Sequence, residues 1–421
     1  MKRICLSLMF VVACSDKDDA TTAPPITDTT AADAVGGEDS STPPDTATED
    51  TATEDTAVQD TPDTHIDPVC PIMEPPGAPE GPSFKNPQAI AVWHDTLYVA
   101  NRNSDAVDFT AGQAWLTALD KATLKVAGRL GTTNPDPSSL TVRGDTLVVV
   151  NRGKVVFDKD WVAEGAGPGS IDLVKLADGT LGDVRSSISI PWTPDKKYDA
   201  APLGIAIVPG TEVAYVGSGT SCRILKVNLD SCQLIKGPAE AIVLHDGTGN
   251  HMCRPFVGPE GKVFVTSFNT DQVFTIDTAT DAVVGTPYDT KSGDFGGTSS
   301  LVYDAKGNML YYLAEVAATI GRIDLATGKV DPAWAKTGLY PLGLYFNGDA
   351  SLGTINNGDG TVQRIDTDGA SSIFVTLPKD SGPSDLAYQG ADLWVVLGGY
   401  GGVAKIDIPS QAITAIEPPL Q

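Results

Sequence analysis

The chain has 421 residues and a formal net charge of −25, from 54 acidic and 29 basic residues. With no Lys/Arg cluster along its length, that balance argues against binding a phosphate backbone, so no nucleic-acid partner is expected. Much of the excess sits in one stretch: residues 15–68 carry 15 acids against Lys17 alone.

The chain begins with a short basic run, Met1-Lys2-Arg3, and an apolar run over 4–12 broken only by Ser7. A basic start, a short apolar core and a small residue at a cleavage point make a signal peptide. The run is too short to span a bilayer, which needs about 20 apolar residues. Val11-Val12-Ala13-Cys14 resembles a bacterial lipobox. That resemblance implies cleavage after residue 13 and acylation of Cys14, with palmitate among the chains. Several acyl chains anchor a protein stably where one is marginal. Ser15 stands where that family places an Asp for inner-membrane retention, which points to the outer membrane. An ordinary cleaved signal with an incidental cysteine is the alternative.

Residues 14–69 form the second predicted region. They are rich in Thr, Asp, Glu, Ala and Pro, with a near-tandem TATED, TATED, TAVQD at 46–60 and no hydrophobic periodicity. Such a stretch buries too little apolar surface to offset the entropy of ordering it, so a disordered tether is expected. The Thr-rich, Pro-containing composition also suits O-glycosylation.

The third region, 70–421, carries repeats over about 84–417. Each unit opens with Pro or Gly and a short apolar strand, then a tight turn and a strongly β-forming run. A third strand ending in Asp, a turn and a fourth strand complete it. NPQAIAV–HDTLYVANR–WLTALDKATLKV is the first unit and GPSDLAYQGADLWVVLGGYGGVAKIDIPSQAITAI the seventh. Runs rich in Val, Ile, Leu and Tyr separated by Asp and Gly turns suit short antiparallel strands. Units of this length recurring seven times predict an all-β, seven-bladed propeller of four-stranded antiparallel blades. The motifs YVANR, VVVNR, LDKAT, IDTAT and IDLAT resemble the YVTN-type, or YncE-like, propeller repeat. The resemblance covers about 330 residues and implies fold rather than activity. Asp120, Asp277 and Asp324, which recur in it, read as turn residues accepting nearby backbone N–H groups.

Propeller topology sends the connections after the second and fourth strands to one face, the expected ligand face. The long insertions 103–114, 153–168, 191–201, 244–253 and 285–297 fall there and carry aromatic residues including Trp161 and Trp192. Long ordered loops in a compact domain are often functional. Packing of the loops themselves is the other reading of those aromatics. Asn101, Asn151, Ser267, Glu315 and Asn356 are expected where second strands reach this face, with Arg102 and Arg152 following the first two. Asp385 lies on the last innermost strand. Carboxylate and amide oxygens around an axial funnel suit Ca²⁺ or another divalent cation. That arrangement loosely resembles lactonase or gluconolactonase propellers, whose motifs are not present in order; PEGPSF at 79–84 echoes one of them. A solvated polar channel is the plainer reading, and no cofactor is expected. His245, His251 and Cys253 share a loop whose spacing suits a transition metal, without an evident fourth ligand.

Two functions follow. One is a membrane-anchored extracytoplasmic lipoprotein, expected to be a monomer, whose propeller binds a small molecule, glycan or protein without catalysis. The other is a metal-dependent hydrolase of the lactonase kind.

Cys70, Cys222, Cys232 and Cys253 remain after processing, enough for two disulfides in an exported domain. Blade three places its third strand at about 223–228, with Cys222 at its start and Cys232 beyond its far end. A strand of that length spans roughly 20 Å, whereas a disulfide needs Cα atoms within about 7 Å. Cys222–Cys232 and Cys232–Cys253 are therefore excluded, and Cys222–Cys253 is expected, leaving Cys70 for Cys232.

Overall fold

The computed structural model describes residues 70, 74, 76–104, 111–157, 163–177, 180–192, 201–245, 252–291, 293, 295–346 and 351–418. Cys14, the lipobox and the tether lie outside them, as do Trp161 and His251.

Seven antiparallel sheets follow one another along the chain. Blade one is β1 (Pro87–Trp93), β2 (Thr96–Asn101), β3 (Trp115–Asp120) and β4 (Val126–Gly131). Blade two is β5 (Pro137–Arg143), β6 (Thr146–Asn151), β9 (Gly169–Ala177) and β10 (Thr180–Ile190). Its long insertion folds into the hairpin β7 (Val155–Phe157) and β8 (Ala163–Gly165). Blade three is β11 (Pro202–Ile207), β12 (Val213–Ser218), β13 (Arg223–Asn228) and β14 (Gln233–Lys236), with β15 (Ile242–Val243) also on β13. Blade four is β16 (Cys253–Val257), β17 (Lys262–Ser267), β18 (Gln272–Asp277) and β19 (Ala282–Val283), with β20 (Tyr288–Asp289) on β18. Blade five is β21 (Thr298–Asp304), β22 (Met309–Ala314), β23 (Thr319–Asp324) and β24 (Val330–Lys336). Blade six is β25 (Pro341–Phe346), β26 (Leu352–Asn356), β27 (Thr361–Ile365) and β28 (Ser371–Thr376). Blade seven is β29 (Pro383–Gln389), β30 (Asp392–Leu397), β31 (Gly402–Asp407) and β32 (Ala412–Glu417).

The period-two alternation of the second strands builds the core. On β2, Leu97 and Val99 pack toward blade seven while Tyr98 and Ala100 pack toward blade two. On β6, Leu147 and Val149 meet blade one while Val148 and Val150 meet blade three. Both faces of a blade are thus apolar, as successive side chains point to opposite sides of a sheet. The buried apolar residues form seven clusters, one between each pair of neighbouring blades.

The ring closes without exchanging a strand, because blades one and seven are each built from continuous chain. Side chains join them instead. Trp394 Nε1 donates to the Lys121 carbonyl at 3.2 Å, Lys121 Nζ to Gln389 Oε1 at 3.0 Å, and Ser384 Oγ to the Pro87 carbonyl at 2.9 Å. An N-terminal arm covers the outer edge of blade one. Gly131 N donates to Pro76 O at 3.1 Å, and Arg129 donates to the carbonyls of Gly81 and Pro79. A Cβ at Gly131 would lie 2.3 Å from Pro76 O, so only glycine lets the arm approach. Covering an outermost strand in this way protects an edge that could otherwise pair with another chain.

Both expected disulfides are present. Cys222 and Cys253 have Cα atoms 5.4 Å apart and link blade three to the start of blade four. Cys70 and Cys232 are 5.1 Å apart and fasten the arm to the β13–β14 turn.

Candidate functional site

The innermost strands β1, β5, β11, β16, β21, β25 and β29 surround a cavity of about 640 Å³ on the propeller axis. It opens on the face where these strands begin and the second strands end, the predicted ligand face, here called upper. The cavity reaches as deep as the fourth residue of each innermost strand. Those residues are Ile90, Leu140, Ile205, Phe256, Leu301, Leu344 and Leu386, one apolar side chain from every blade. The axial channel is thus a cup with an apolar floor and a polar wall.

The wall is built by repetition with local variation. In six blades the residue that follows the second strand donates its N–H to the carbonyl of the residue that precedes the first strand. Arg102, Arg152, Gly219, Phe268, Glu315 and Asn357 bond in this way to Asn86, Asp136, Ala201, Met252, Gly297 and Tyr340. All but Gly219, Ala201 and Gly297 line the cup. Bulges near the start of β1, β5, β11, β21, β25 and β29 re-aim the neighbouring side chains there. β16 pairs with β17 without a bulge.

Among the described residues, three arginines and three carboxyl groups line the cup. Arg102 Nε lies 2.9 Å from Asp136 Oδ1, and Arg152 Nε lies 3.7 Å from Asp136 Oδ2. Burial lowers the Arg102 pKa below its ordinary value; Asp136 opposes that shift and Arg152 adds to it. Burial pushes the Glu315 carboxyl up to about 7, against the favourable charge of Arg254 and the nearby Ser299 hydroxyl. Burial likewise pushes Asp385 up to about 6, although its carboxylate accepts the N–H groups of Ile90 at 3.0 Å and Leu386 at 2.9 Å. Desolvation penalises the charged form in both.

Of the residues read from the sequence, Arg102, Arg152, Glu315 and Asp385 are on the cup wall. Asn101, Asn151 and Asn356 are not. Asn101 Nδ2 donates to Thr117 Oγ1 at 3.0 Å, Asn151 Nδ2 to Ser170 Oγ at 3.0 Å and Asp172 Oδ2 at 2.9 Å, and Asn356 Nδ2 to Thr361 Oγ1 at 2.9 Å. Each is fully buried and ties the second strand to the third. As the last residue of its strand it points into the blade, and the next residue faces the axis. The amides that do line the cup are those of Asn86, Gln88 and Asn357. Among the described residues, no three His, Cys, Asp or Glu side chains lie close enough to share a metal ion. Cys253, in the His245 loop, is taken by its disulfide.

Trp192 is half-buried, donates its indole N–H to the Gly165 carbonyl at 2.9 Å at the end of β8, and does not line the cup. Asp120, Asp277 and Asp324 are turn caps: Asp120 Oδ1 accepts Thr123 N at 2.7 Å, and Asp277 and Asp324 accept the N–H two residues on at 2.9 Å. The Thr123 and Thr327 side chains hold Asp120 and Asp324 below the usual carboxylate range.

Arg254 and Asp136 escaped the sequence reading. Aligning the second residue of each innermost strand gives Gln88, Ser138, Leu203, Arg254, Ser299, Leu342 and Ser384. A single charged residue in that column is the signal that could have found Arg254.

No family model matches this chain, and no curated protein matches it. Solved structures similar to it include virginiamycin B lyase from Staphylococcus aureus, at 14% identity and TM-score 0.56, covering 76% of this chain and 93% of that one. A catalytically inactive form of that lyase with quinupristin gives 13% identity and TM-score 0.56, over 76% and 94%. A putative 6-phosphogluconolactonase from Bacteroides fragilis gives 18% identity and TM-score 0.53, over 72% and 87%. At such identities the likeness is one of fold: the chain is an all-β seven-bladed propeller, and propellers host unrelated activities.

Proposed function

We propose that the protein is a lipoprotein anchored outside the cytoplasm through Cys14, in the outer membrane, whose YncE-like propeller holds a ligand in the axial cup without transforming it. The observation that carries this reading is the cup itself. A volume of about 640 Å³ lies in the range of small-molecule sites, with an apolar floor and few polar groups fixed around it. Those polar groups are held in place by the protein. Asp136 holds Arg102 and Arg152, and two backbone N–H groups hold Asp385. Pre-organisation of this kind reduces the entropy lost on binding. The lactonase-like reading needs side chains converging on one cation; among the described residues no three His, Cys, Asp or Glu side chains lie close enough to share one, which favours recognition instead. The lipobox resemblance and the acidic stretch that follows it support presentation of the propeller on a tether.

The test is a ligand screen by thermal shift and calorimetry on the intact chain and on Ser139→Trp. Ser139 is on the cup wall, and an indole there would fill the space. Ligands of the cup should bind the natural chain and not the filled variant. Hits that bind both equally would move the site elsewhere, and stoichiometric conversion of a hit to product would overturn the non-catalytic reading.

A further inference from the structure

The charge layout of the cup points to a ligand class, on the premise that the cup is the binding site. We propose that it takes a small amphipathic monocarboxylic acid, with the carboxylate on the guanidinium of Arg254 and the apolar body on the ring of fourth-position side chains. Arg102 and Arg152 are already engaged by Asp136. Arg254 lines the cup and, among the described residues, forms no ion pair within salt-bridge distance. Its stem passes close to Gly204, where an added Cβ would sit 3.8 Å from the Arg254 Cγ.

The two carboxyl groups that feel Arg254 are Glu315 and Asp385. Around Glu315 stand Arg254 and Ser299; around Asp385 stand Arg254 and the N–H groups of Ile90 and Leu386; Arg102, Asp136 and Arg152 are the other charged residues of the wall among the described residues. Burial raises the pKa of both carboxyls, so as pH falls below about 6 both become neutral and leave the Arg254 charge open to an anion. In that form each carboxyl also offers an O–H donor. A guanidinium presents paired N–H groups that match the two oxygens of one carboxylate. A phosphate dianion would bring a second negative charge beside the two acids, which disfavours it. A cationic ligand would meet Arg254 directly. The seven apolar side chains below the arginine give the rest of the molecule a surface to cover.

The experiment uses three probes with one apolar body: 4-phenylbutanoate, 4-phenylbutanamide and 4-phenylbutylamine, titrated calorimetrically into the full chain at pH 6 and pH 8. The acid should bind roughly tenfold or more tightly than the amide, the amine should not bind, and the acid should bind better at pH 6. Arg254→Gln should bring the acid to the level of the amide and leave the amide unchanged. Arg254→Lys, which keeps the charge and loses the fork, should fall between, and melting curves establish that both variants are folded. Equal binding of acid and amide, preference for the amine, or displacement of the acid by equimolar inorganic phosphate would overturn the acid class. If the amide still binds and Ser139→Trp abolishes it, the cup remains the site although the acid class is lost. No heat from any of the three overturns the acid class alone, since the cup reading is judged by the wider screen.

Discussion

Arg102 and Asp136 form an ion pair at 2.9 Å with both side chains almost wholly buried, at 2% and 3% exposure. Arg152 Nε lies 3.7 Å from the other carboxylate oxygen, so one acid is shared by two buried cations from neighbouring blades. Asp136→Asn keeps the shape and removes the charge. It should destabilise the propeller by about 3–5 kcal/mol, the cost of removing one partner from a buried ion pair. Urea denaturation measures this, and adding Arg102→Leu to Asp136→Asn should recover part of the loss. An Asp136→Asn protein as stable as the natural one would show that the two arginines do not depend on the Asp136 charge.

The pH dependence of stability has a sign opposite to that of most carboxylates. Glu315 and Asp385 are pushed up to about 7 and about 6 in the folded chain, above the values of an unfolded chain. The folded state therefore binds more protons between roughly pH 4 and 7. Their contribution to stability is present at low pH and is lost as pH rises through the folded values. Glu315→Gln, which cannot ionise, should gain stability relative to the natural chain between pH 5 and pH 8. Parallel denaturation curves at the two pH values check this; a relative loss over that interval would contradict the burial argument.

The disulfides should staple rather than define the fold. Peptide mapping without reductant should recover Cys222 linked to Cys253 and Cys70 linked to Cys232. Cys222→Ser with Cys253→Ser should cost roughly 2–5 kcal/mol and leave the propeller folded, as judged by far-UV circular dichroism. Loss of the β signal would mean that the blade three to blade four interface cannot hold without the link.

Anchoring follows from Cys14. Intact protein should enter the detergent phase of a phase separation, and Cys14→Ser should leave it in the aqueous phase or unprocessed. Limited proteolysis of the natural chain should trim it to a core beginning just before Cys70, which is buried and bonded to Cys232. Aqueous partitioning of the intact chain would remove the lipoprotein reading, and cuts beyond Cys70 would show that the arm is not held.

What the sequence determined by itself was local and periodic. Alternation on strands such as Thr96–Asn101 and Thr146–Asn151 sets two apolar faces per blade, and a chain with seven such units has a ring as its way to bury them all. The Asp turn caps repeat within a few residues of their donors, so they too were legible. The disulfide pairs followed because strand direction alone separates Cys222 from Cys232. The cup was different. Its wall takes residues from Asn86 to Gly399, which no local pattern links, and which of them faces the axis is settled by one-residue offsets at strand ends and by bulges. Asn101 and Arg102 are neighbours in sequence, yet one is spent inside its blade and the other faces the axis with Asp136. Only the closed ring, by bringing seven innermost strands around one axis and excluding water from their acids, decided that Arg254, Glu315 and Asp385 share a site.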